Sequence, residues 1–193
     1  MGRLLDVDDS VLCVVDVQPG FLDKIVETGA REPFLQRVIW VTALAATLGV
    51  PTVVTEEEPD HNGPTPPGVT ERLPDRTPPY PKPTFGLADV QEILAAVEAT
   101  GRRTAVIVGM ETDVCVTHSA LGLLDRDYRV VVVRDAVLAP GDAHDDGIER
   151  MRAAGVTLIC AKGLFYEWVR TVDVTRKLDD RMASVPVPDG LIL

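Results

Sequence analysis

Short apolar runs alternate with longer stretches of helical periodicity along this chain, and that alternation limits the folds it can adopt. The apolar runs predict strands at residues 11–15, 52–55, 104–109, 129–133 and 157–160. The periodic stretches predict helices at residues 32–48, 87–100, 113–127, 142–154 and 163–181, and three of these helices end near Gly49, Gly101 and Gly155. Strands that are apolar on both faces are typical of a parallel sheet covered by helices on both sides.

We therefore predict an α/β fold. It is a three-layer, doubly wound, mainly parallel sheet of about six strands in the order 3-2-1-4-5-6, with helices on both faces. The third strand in this count is a short edge strand near Tyr80–Lys82. A single domain spanning residues 1–193 is expected, because domains commonly hold about 100 to 200 residues.

Residues 56–83 interrupt the alternation, since they are rich in proline, glycine and acidic side chains. A connection this long in a compact domain usually carries function. Its proline density permits only the short edge strand, because proline cannot donate to a sheet ladder. The acidic stretch from Glu56 to His61 has two interpretations, a loose cation site or an exposed acidic loop, and we favour the second.

The formal net charge of −11 bears on the partners of this chain. Nucleic acids and anionic membranes attract clustered Lys and Arg, so neither is expected as a main partner. The N-terminal apolar run is too short to span a bilayer or to direct secretion, which predicts a cytoplasmic protein.

The three cysteines lie in two kinds of surroundings. An odd number without a C-x-x-C pair predicts free thiols rather than a disulfide framework or a zinc site. Cys13 and Cys160 fall in apolar runs and are predicted to be buried, inert strand residues. Cys115 follows a strand and, with Thr112 as predicted N-cap, falls in the first helical turn. The helix dipole there stabilises a thiolate, which predicts a pKa below the ordinary value of about 8.5.

Two other ionisable residues hold positions where chemistry is common. Asp16 ends the first predicted strand, and ligands of open parallel sheets bind beyond the carboxyl ends of strands. Taken alone, however, Asp16 is better explained as a cap of the following turn. Lys82 stands between Pro81 and Pro83, which hold its backbone extended, although a single lysine is by default a solvated surface residue.

Three motifs join these residues into one pattern. They read DVQPGF from Asp16, KPTFG from Lys82 and GMETDVCV around Cys115. In this order they resemble the motifs of isochorismatase-like cysteine hydrolases, and the resemblance covers nearly the whole chain. It implies a catalytic triad of Asp16, Lys82 and Cys115 without a cofactor. Nicotinamidases, a metal-binding branch of the same superfamily, carry an Asp-x-His that is absent here, so no required metal is expected.

The resemblance also implies a mechanism. Cys115 attacks a carbonyl group to form a thioester, and Lys82 balances the negative charge. Asp16 accepts the thiol proton, gives it to the leaving group and then activates water to release the acid. Backbone N–H groups of Glu111 and Cys115 are expected to form the oxyanion hole, after a cis peptide between Met110 and Glu111. Small amides, imides or carbamoyl compounds are the implied substrates. The predicted substrate pocket is lined by Phe21, Phe85 and His118.

Other interpretations remain open at this point. His118 lies three residues after Cys115 and makes a Cys/His dyad conceivable, although the triad draws on three separate motifs. Family members that act on isochorismate hydrolyse a vinyl ether, and some of them lack the cysteine. A non-catalytic oligomeric scaffold or regulatory protein that keeps the fold is a third alternative. A dinucleotide-binding oxidoreductase is disfavoured, because G-x-G-x-x-G does not follow the first strand.

A homo-oligomer, a dimer or larger, is expected from the segment LFYEWV. Phe165, Tyr166 and Trp168 cluster in it, and aromatic side chains are enriched in interface cores. Packing of these aromatics onto the chain's own core is the alternative.

Overall fold

A six-stranded parallel sheet lies at the centre of the computed structural model, which describes residues 2–26, 29–73 and 78–193. The strands are β1 (Ser10–Val15), β2 (Thr52–Glu57), β3 (Tyr80–Lys82), β4 (Thr104–Met110), β5 (Arg129–Leu138) and β6 (Thr157–Ile159). Every neighbouring pair is parallel, in the order β3-β2-β1-β4-β5-β6. The predicted fold class, strand order and edge strand are confirmed.

Helices connect the strands and cover both faces of the sheet. They are α1 (Pro19–Leu22), α2 (Arg31–Leu48), α3 (Pro59–Asn62), α4 (Pro67–Thr70), α5 (Gln91–Ala99), α6 (Thr117–Leu124), α7 (Ala143–Ala153), α8 (Ala161–Val169) and α9 (Val172–Arg181). Gly49 ends α2 in the left-handed conformation, with φ of 75°, as predicted. Within the described residues, no helix is both long and apolar enough to cross a membrane.

Alternate residues of the central strands enter two separate apolar layers. Leu12 and Val14 of β1 pack in a cluster with α2 and α8, whereas Val11, Cys13 and Val15 pack in a cluster with α5, α6 and α7. Both faces of β1 are therefore buried, which explains why the strand is an unbroken apolar run in the sequence.

Two of the predicted helices are divided in the structure. Residues 87–100 form a 3-10 turn, Leu87–Asp89, followed by α5, because Val90 between them has an extended backbone. Residues 163–181 belong to α8 and α9, which separate at Arg170 (φ 65°). The side chain of Thr171 then caps α9 by accepting from the Val174 N–H. Apolar periodicity continues across both interruptions, so it does not reveal them.

The prediction that Cys160 is a buried strand residue is wrong. Strand β6 ends at Ile159, and Cys160 is exposed at the N-cap of α8. Its Sγ accepts a hydrogen bond from the Gly163 N–H at 3.4 Å. The apolar run continues past the end of β6 to the start of α8, and the predicted strand is therefore one residue too long.

The aromatic segment near the C-terminus packs mainly inside the chain. Phe165 and Trp168 are each 2% exposed, and Trp168 Nε1 donates a hydrogen bond to Ser10 Oγ at 3.1 Å. Tyr166 is the member of the three that stays exposed. The LFYEWV segment thus gives no support to an oligomer interface, since its burial follows from core packing.

The proline-rich connection contains more structure than its composition predicts. Single-turn helices α3 and α4 precede β3, which pairs with β2 as the predicted edge strand. Residues 74–77 of this connection, Pro74 among them, lie outside the described residues. The paired end of β3 places Lys82 at the same edge of the sheet as the end of β2.

Candidate active site

Four neighbouring strands deliver one side chain each to the same edge of the sheet. Asp16 follows β1, Glu57 ends β2, Lys82 ends β3, and Cys115 lies in the turn after β4. The carboxyl ends of these strands meet because the strands are parallel and adjacent. The Cys115 Sγ and one carboxylate oxygen each of Asp16 and Glu57 lie within 4.8 Å of one another. The structure thus brings together the three predicted triad residues and adds Glu57.

Asp16 is fully buried, and several groups hold it. Its φ of 48° lies in the left-handed region, which aspartate tolerates better than most side chains. Thr55 Oγ1 donates to Oδ1 at 2.7 Å, and Lys82 Nζ lies 2.8 Å from Oδ2, so the carboxylate does not serve as a turn cap. Burial raises the pKa of Asp16 above its usual range, while the Lys82 ammonium opposes that rise. A buried carboxylate with a raised pKa is suited to accept a proton.

Lys82 is buried in spite of its charge. It is extended, as the flanking prolines predict, and in the sheet it lies opposite Glu57. Its Nζ donates to the carbonyl oxygens of Phe85, at 3.0 Å, and of Thr84, and it lies 3.7 Å from Glu57 Oε2. Together with Asp16, these groups surround the ammonium with two carbonyls and two carboxylates. The lysine is therefore a fixed internal cation rather than a solvated side chain.

Cys115 lies in a π-helical turn, Thr112–Val116, that leads directly into α6. The predicted position in the first helical turn is confirmed. The predicted N-cap is wrong, because Glu111 holds that position and the Thr112 Oγ1 lies 3.1 Å from His144 Nδ1 instead. The backbone, rather than a capping hydroxyl, therefore shapes the start of this turn.

Two glycines allow backbone segments to close around the turn of Cys115. Gly109 has φ of 130°, and a Cβ at this position would lie 1.9 Å from the Val15 carbonyl oxygen. A Cβ at Gly147, on α7, would lie 2.7 Å from the Asp113 nitrogen. No other residue fits at either position without moving backbone. The close approach of β4 to β1 sets the cysteine turn beside the end of β1.

The thiol of Cys115 donates a hydrogen bond to Glu57, with 3.0 Å between Sγ and Oε2. A carboxylate oxygen of Asp16 lies within 4.8 Å of the same sulfur. Burial and the charge of Asp16 raise the pKa of the Cys115 thiol, Glu57 adds to the rise, and Lys82 opposes it. The predicted lowering of this pKa is wrong, because two carboxylates and burial outweigh one ammonium.

Glu57 is the site residue that sequence patterns do not single out. The acidic-loop interpretation places it in solvent, yet its side chain is only 16% exposed. Gln18 fixes its backbone, accepting from the Glu57 N–H at 2.7 Å and donating to the Glu57 carbonyl at 3.1 Å. Glu56 is also buried and accepts from the Thr65 N–H at 2.6 Å. The loop interpretation is wrong for both residues, and the available signal was their place at a strand end.

Phe85 and His118, two of the residues predicted to line the substrate pocket, are exposed and contact each other. Phe85 is 54% exposed, and its ring contacts the His118 ring edge-on, with 5.8 Å between centroids. His118 is exposed on α6, and the hydrogen bond of the Cys115 thiol goes to Glu57 rather than to the imidazole. The structure therefore does not form the Cys/His dyad.

The peptide bond between Met110 and Glu111 is cis, as predicted. Lys24 connects this bend to α1, because its Nζ lies 3.4 Å from Glu111 Oε1 and 4.5 Å above the Phe21 ring. Phe21 itself is 4% exposed and packs in the core. It therefore supports this side of the site from within the core rather than lining open space.

Asp16, Glu57 and Cys115 offer atoms of the types that bind transition metals. The Lys82 ammonium, however, already lies 2.8 Å from one carboxylate and 3.7 Å from the other. A divalent cation at the same point would be repelled by this charge. The residues present fit a site whose negative charge is balanced by lysine.

Comparison with known sequences identifies the family. The family model described as Isochorismatase domain matches residues 10–163. The chain is 34% identical over 134 residues to Probable hydrolase YcaC of Escherichia coli, and the aligned region covers 68% of this chain and 64% of YcaC. It is 32% identical over 203 residues to isochorismatase domain-containing protein 2 of Bos taurus, which covers 100% of this chain and 91% of that protein.

Solved structures show the same architecture. The Escherichia coli YcaC gene product, an octameric hydrolase of unknown specificity, matches with a TM-score of 0.88 and 27% identity over 98% of this chain and 93% of that chain. YcaC from Pseudomonas aeruginosa, solved with hexane-2,5-diol and covalent acrylamide, matches with a TM-score of 0.82 and 26% identity over 95% and 98%. By its sequence, sheet order and fold, the chain belongs to the isochorismatase-like hydrolase family.

Proposed function

We propose that this protein is a cysteine-dependent hydrolase that cleaves a C–N bond of a small amide, imide or carbamoyl compound through a thioester. The observation that carries the proposal is the buried thiol of Cys115, whose sulfur lies within 4.8 Å of an Asp16 carboxylate oxygen, while the Asp16 carboxylate lies 2.8 Å from the Lys82 ammonium. Covalent catalysis requires a nucleophile, a base close to it and a group that orients the base.

Acylation uses the triad as follows. Asp16 accepts the thiol proton while the Cys115 Sγ attacks the carbonyl carbon, and Lys82 stays beside the carboxyl group to stabilise its charged form before and after transfer. The tetrahedral intermediate collapses, the C–N bond breaks, and the leaving nitrogen takes the proton from Asp16. A thioester on Cys115 and a free amine or ammonia result.

We assign the oxyanion hole to the backbone N–H groups of Glu111 and Cys115. Cys115 lies in the turn that starts the helical segment, where the first N–H groups lack partners within the helix. Donors preorganised around the developing negative charge are worth about 100-fold or more in rate. The proposed donors lie on the same turn as the nucleophile, so both are fixed relative to the sulfur.

The burial of the nucleophile limits the substrate. Cys115 is 2% exposed, so only a slender reacting group reaches the sulfur. The covalent acrylamide in the Pseudomonas aeruginosa YcaC structure is a molecule of this size on a related fold. A molecule of that size can therefore enter a related fold, which supports a small compound as the substrate.

Assembly and location complete the proposal. The Escherichia coli YcaC gene product is octameric, and we infer a homo-oligomer for this chain on that likeness. Light scattering should give a mass that is a multiple of 20.9 kDa, and a monomer at micromolar concentration would end this part of the proposal. The single domain over residues 1–193 and the cytoplasmic location stay predictions.

The proposal is tested by screening small amides, imides and ureido compounds for release of ammonia or amine. The native chain is compared with Cys115→Ala, which should lose turnover, and with Cys160→Ala, whose exposed thiol lies outside the site and should be dispensable. Turnover that survives in Cys115→Ala contradicts the covalent mechanism. Hydrolysis confined to isochorismate would show vinyl-ether chemistry, and an unreactive Cys115 with no turnover would favour a scaffold.

A further inference from the structure

Two carboxylates face the thiol of Cys115, and their surroundings differ. Asp16 is fully buried and its two oxygens are engaged by Thr55, at 2.7 Å, and by Lys82, at 2.8 Å. The Glu57 Oε2 lies 3.0 Å from the sulfur, and the Glu57 side chain is 16% exposed. Of these two carboxylates, only Glu57 has access to solvent.

A thioester enzyme needs two proton transfers of different kinds. In acylation a proton moves from the thiol to the leaving nitrogen, and no water has to enter. In deacylation a water molecule must reach the acyl carbon, and a base within one hydrogen bond must take its proton. The acyl carbon is one bond away from the Cys115 Sγ, and it is therefore close to Glu57 Oε2.

We propose that Glu57 is a second catalytic residue, the general base that activates water for thioester hydrolysis, while Asp16 serves acylation. This assignment rests on the proposed function. The buried Asp16 then serves acylation, which needs no water. Glu57, whose side chain has access to solvent, serves deacylation, which consumes water.

Deacylation consumes one water molecule. Glu57 takes one proton from water as the water oxygen bonds to the acyl carbon, and the carbonyl electron pair moves to oxygen. When that pair returns, the carbon–sulfur bond breaks, and Cys115 leaves as a thiolate that takes the proton back from Glu57. The products are the free acid and the thiol in the hydrogen bond seen at rest. No oxidant, reductant or metal enters the step.

The backbone of Glu57 is fixed well enough for this role. Gln18 accepts from its N–H at 2.7 Å and donates to its carbonyl oxygen at 3.1 Å. Asn62 Nδ2 donates to the same carbonyl at 2.8 Å. These bonds hold the end of β2 in place and leave only the side chain to move between sulfur and water. A catalytic group that is positioned by neighbouring hydrogen bonds avoids the rate loss of a loosely held base.

The test separates acylation from deacylation with p-nitrophenyl acetate, which needs no knowledge of the natural substrate. Release of p-nitrophenolate in a burst reports acetylation of Cys115, and the later steady rate reports thioester hydrolysis. In Glu57→Gln the burst should persist with native amplitude, the steady rate should fall about 100-fold, and acetylated Cys115 should accumulate in peptide mass spectra. Hydroxylamine, a nucleophile that needs no general base, should restore turnover in this variant. Asp60→Asn removes an exposed carboxylate of α3 and should match the native chain in both phases.

Each other result has a distinct meaning. An unchanged steady rate in Glu57→Gln overturns the assignment, and so does a parallel loss of burst and steady rate, which indicates a structural role. Failure of the native chain to acetylate Cys115 at all would instead count against the proposed cysteine mechanism. The two proposals therefore fail by different observations.

Discussion

Replacing Lys82 with methionine removes the buried cation while nearly preserving its volume, and the structure sets the expected cost. Lys82 Nζ and Asp16 Oδ2 are 2.8 Å apart with no side-chain exposure on either partner. At an effective dielectric constant of about 20, this attraction is about 6 kcal/mol. Desolvation offsets part of it, and removal of one partner from a buried pair typically costs about 3–5 kcal/mol of unfolding free energy. We expect Lys82→Met to lose that amount at neutral pH.

The pH dependence of this loss has a definite sign. Burial raises the folded-state pKa of Asp16, and Lys82 opposes the rise, so Lys82→Met should raise this pKa further. A carboxyl group with a raised folded pKa contributes stability below its unfolded value of about 3.9, and that stability is lost as pH rises through the folded pKa. The deficit of Lys82→Met should therefore be larger at pH 8 than at pH 5.

The assay is urea unfolding at fixed protomer concentration, because oligomer stability depends on concentration. Lys82→Met, Asp16→Asn and the double variant form a cycle in which the double variant should be less destabilised than the sum of the single variants. Lys24→Met is the matched control. Lys24 Nζ lies 3.4 Å from Glu111 Oε1, but the lysine side chain is 50% exposed, so this variant should lose less than about 1 kcal/mol of unfolding free energy. Additive single losses, or a loss below about 1 kcal/mol for Lys82→Met, would refute the reasoning.

Three further predictions follow from the same contacts. Iodoacetamide should label exposed Cys160 before Cys13 and Cys115, since both of these thiols are buried and burial raises the pKa of each, and their labelling should become faster at high pH; peptide mass spectrometry reads the order. In a Cys160→Ala background, Glu57→Gln should speed alkylation of Cys115, because the carboxylate contributes to the raised pKa of that thiol, and an unchanged rate contradicts this. Gly109→Ala should lower the free energy of thermal unfolding by about 3 kcal/mol or more, because the new Cβ would meet the Val15 carbonyl oxygen. The control Gly155→Ala, with φ of 96° but open space around it, should cost about 1 kcal/mol. Equal losses would show that the contact with Val15 is not the cause.

The sheet could be predicted from the sequence because its pattern is redundant. Each central strand is an apolar run that both neighbouring helix layers bury, and glycines such as Gly49 end the helices between them. The three residues of the proposed triad could be identified from the sequence because each lies in a motif near a strand end. The environment of the Cys115 thiol could not be identified in the same way. A helix start alone predicts a lowered pKa, whereas burial and the carboxylates of Asp16 and Glu57, which follow or end other strands, raise it. The pKa of a thiol therefore cannot be predicted from its sequence neighbours when the charged groups around it come together only in the folded protein.

Glu57 shows where such prediction stops, because its role depends on the parity of a strand. Side chains alternate along β2, and Val53 packs in the same layer as Cys115, whereas Val54 packs in the opposite layer. Residues of the parity of Val53 therefore face the nucleophile, and these are Thr55, which bonds Asp16, and Glu57, which accepts from the thiol. In the sequence, Val53 and Val54 are equally apolar and three glutamates follow Thr55, so nothing distinguishes the two faces. A register error of one residue would exchange the catalytic carboxylate for its neighbour, and only the packed sheet decides between them.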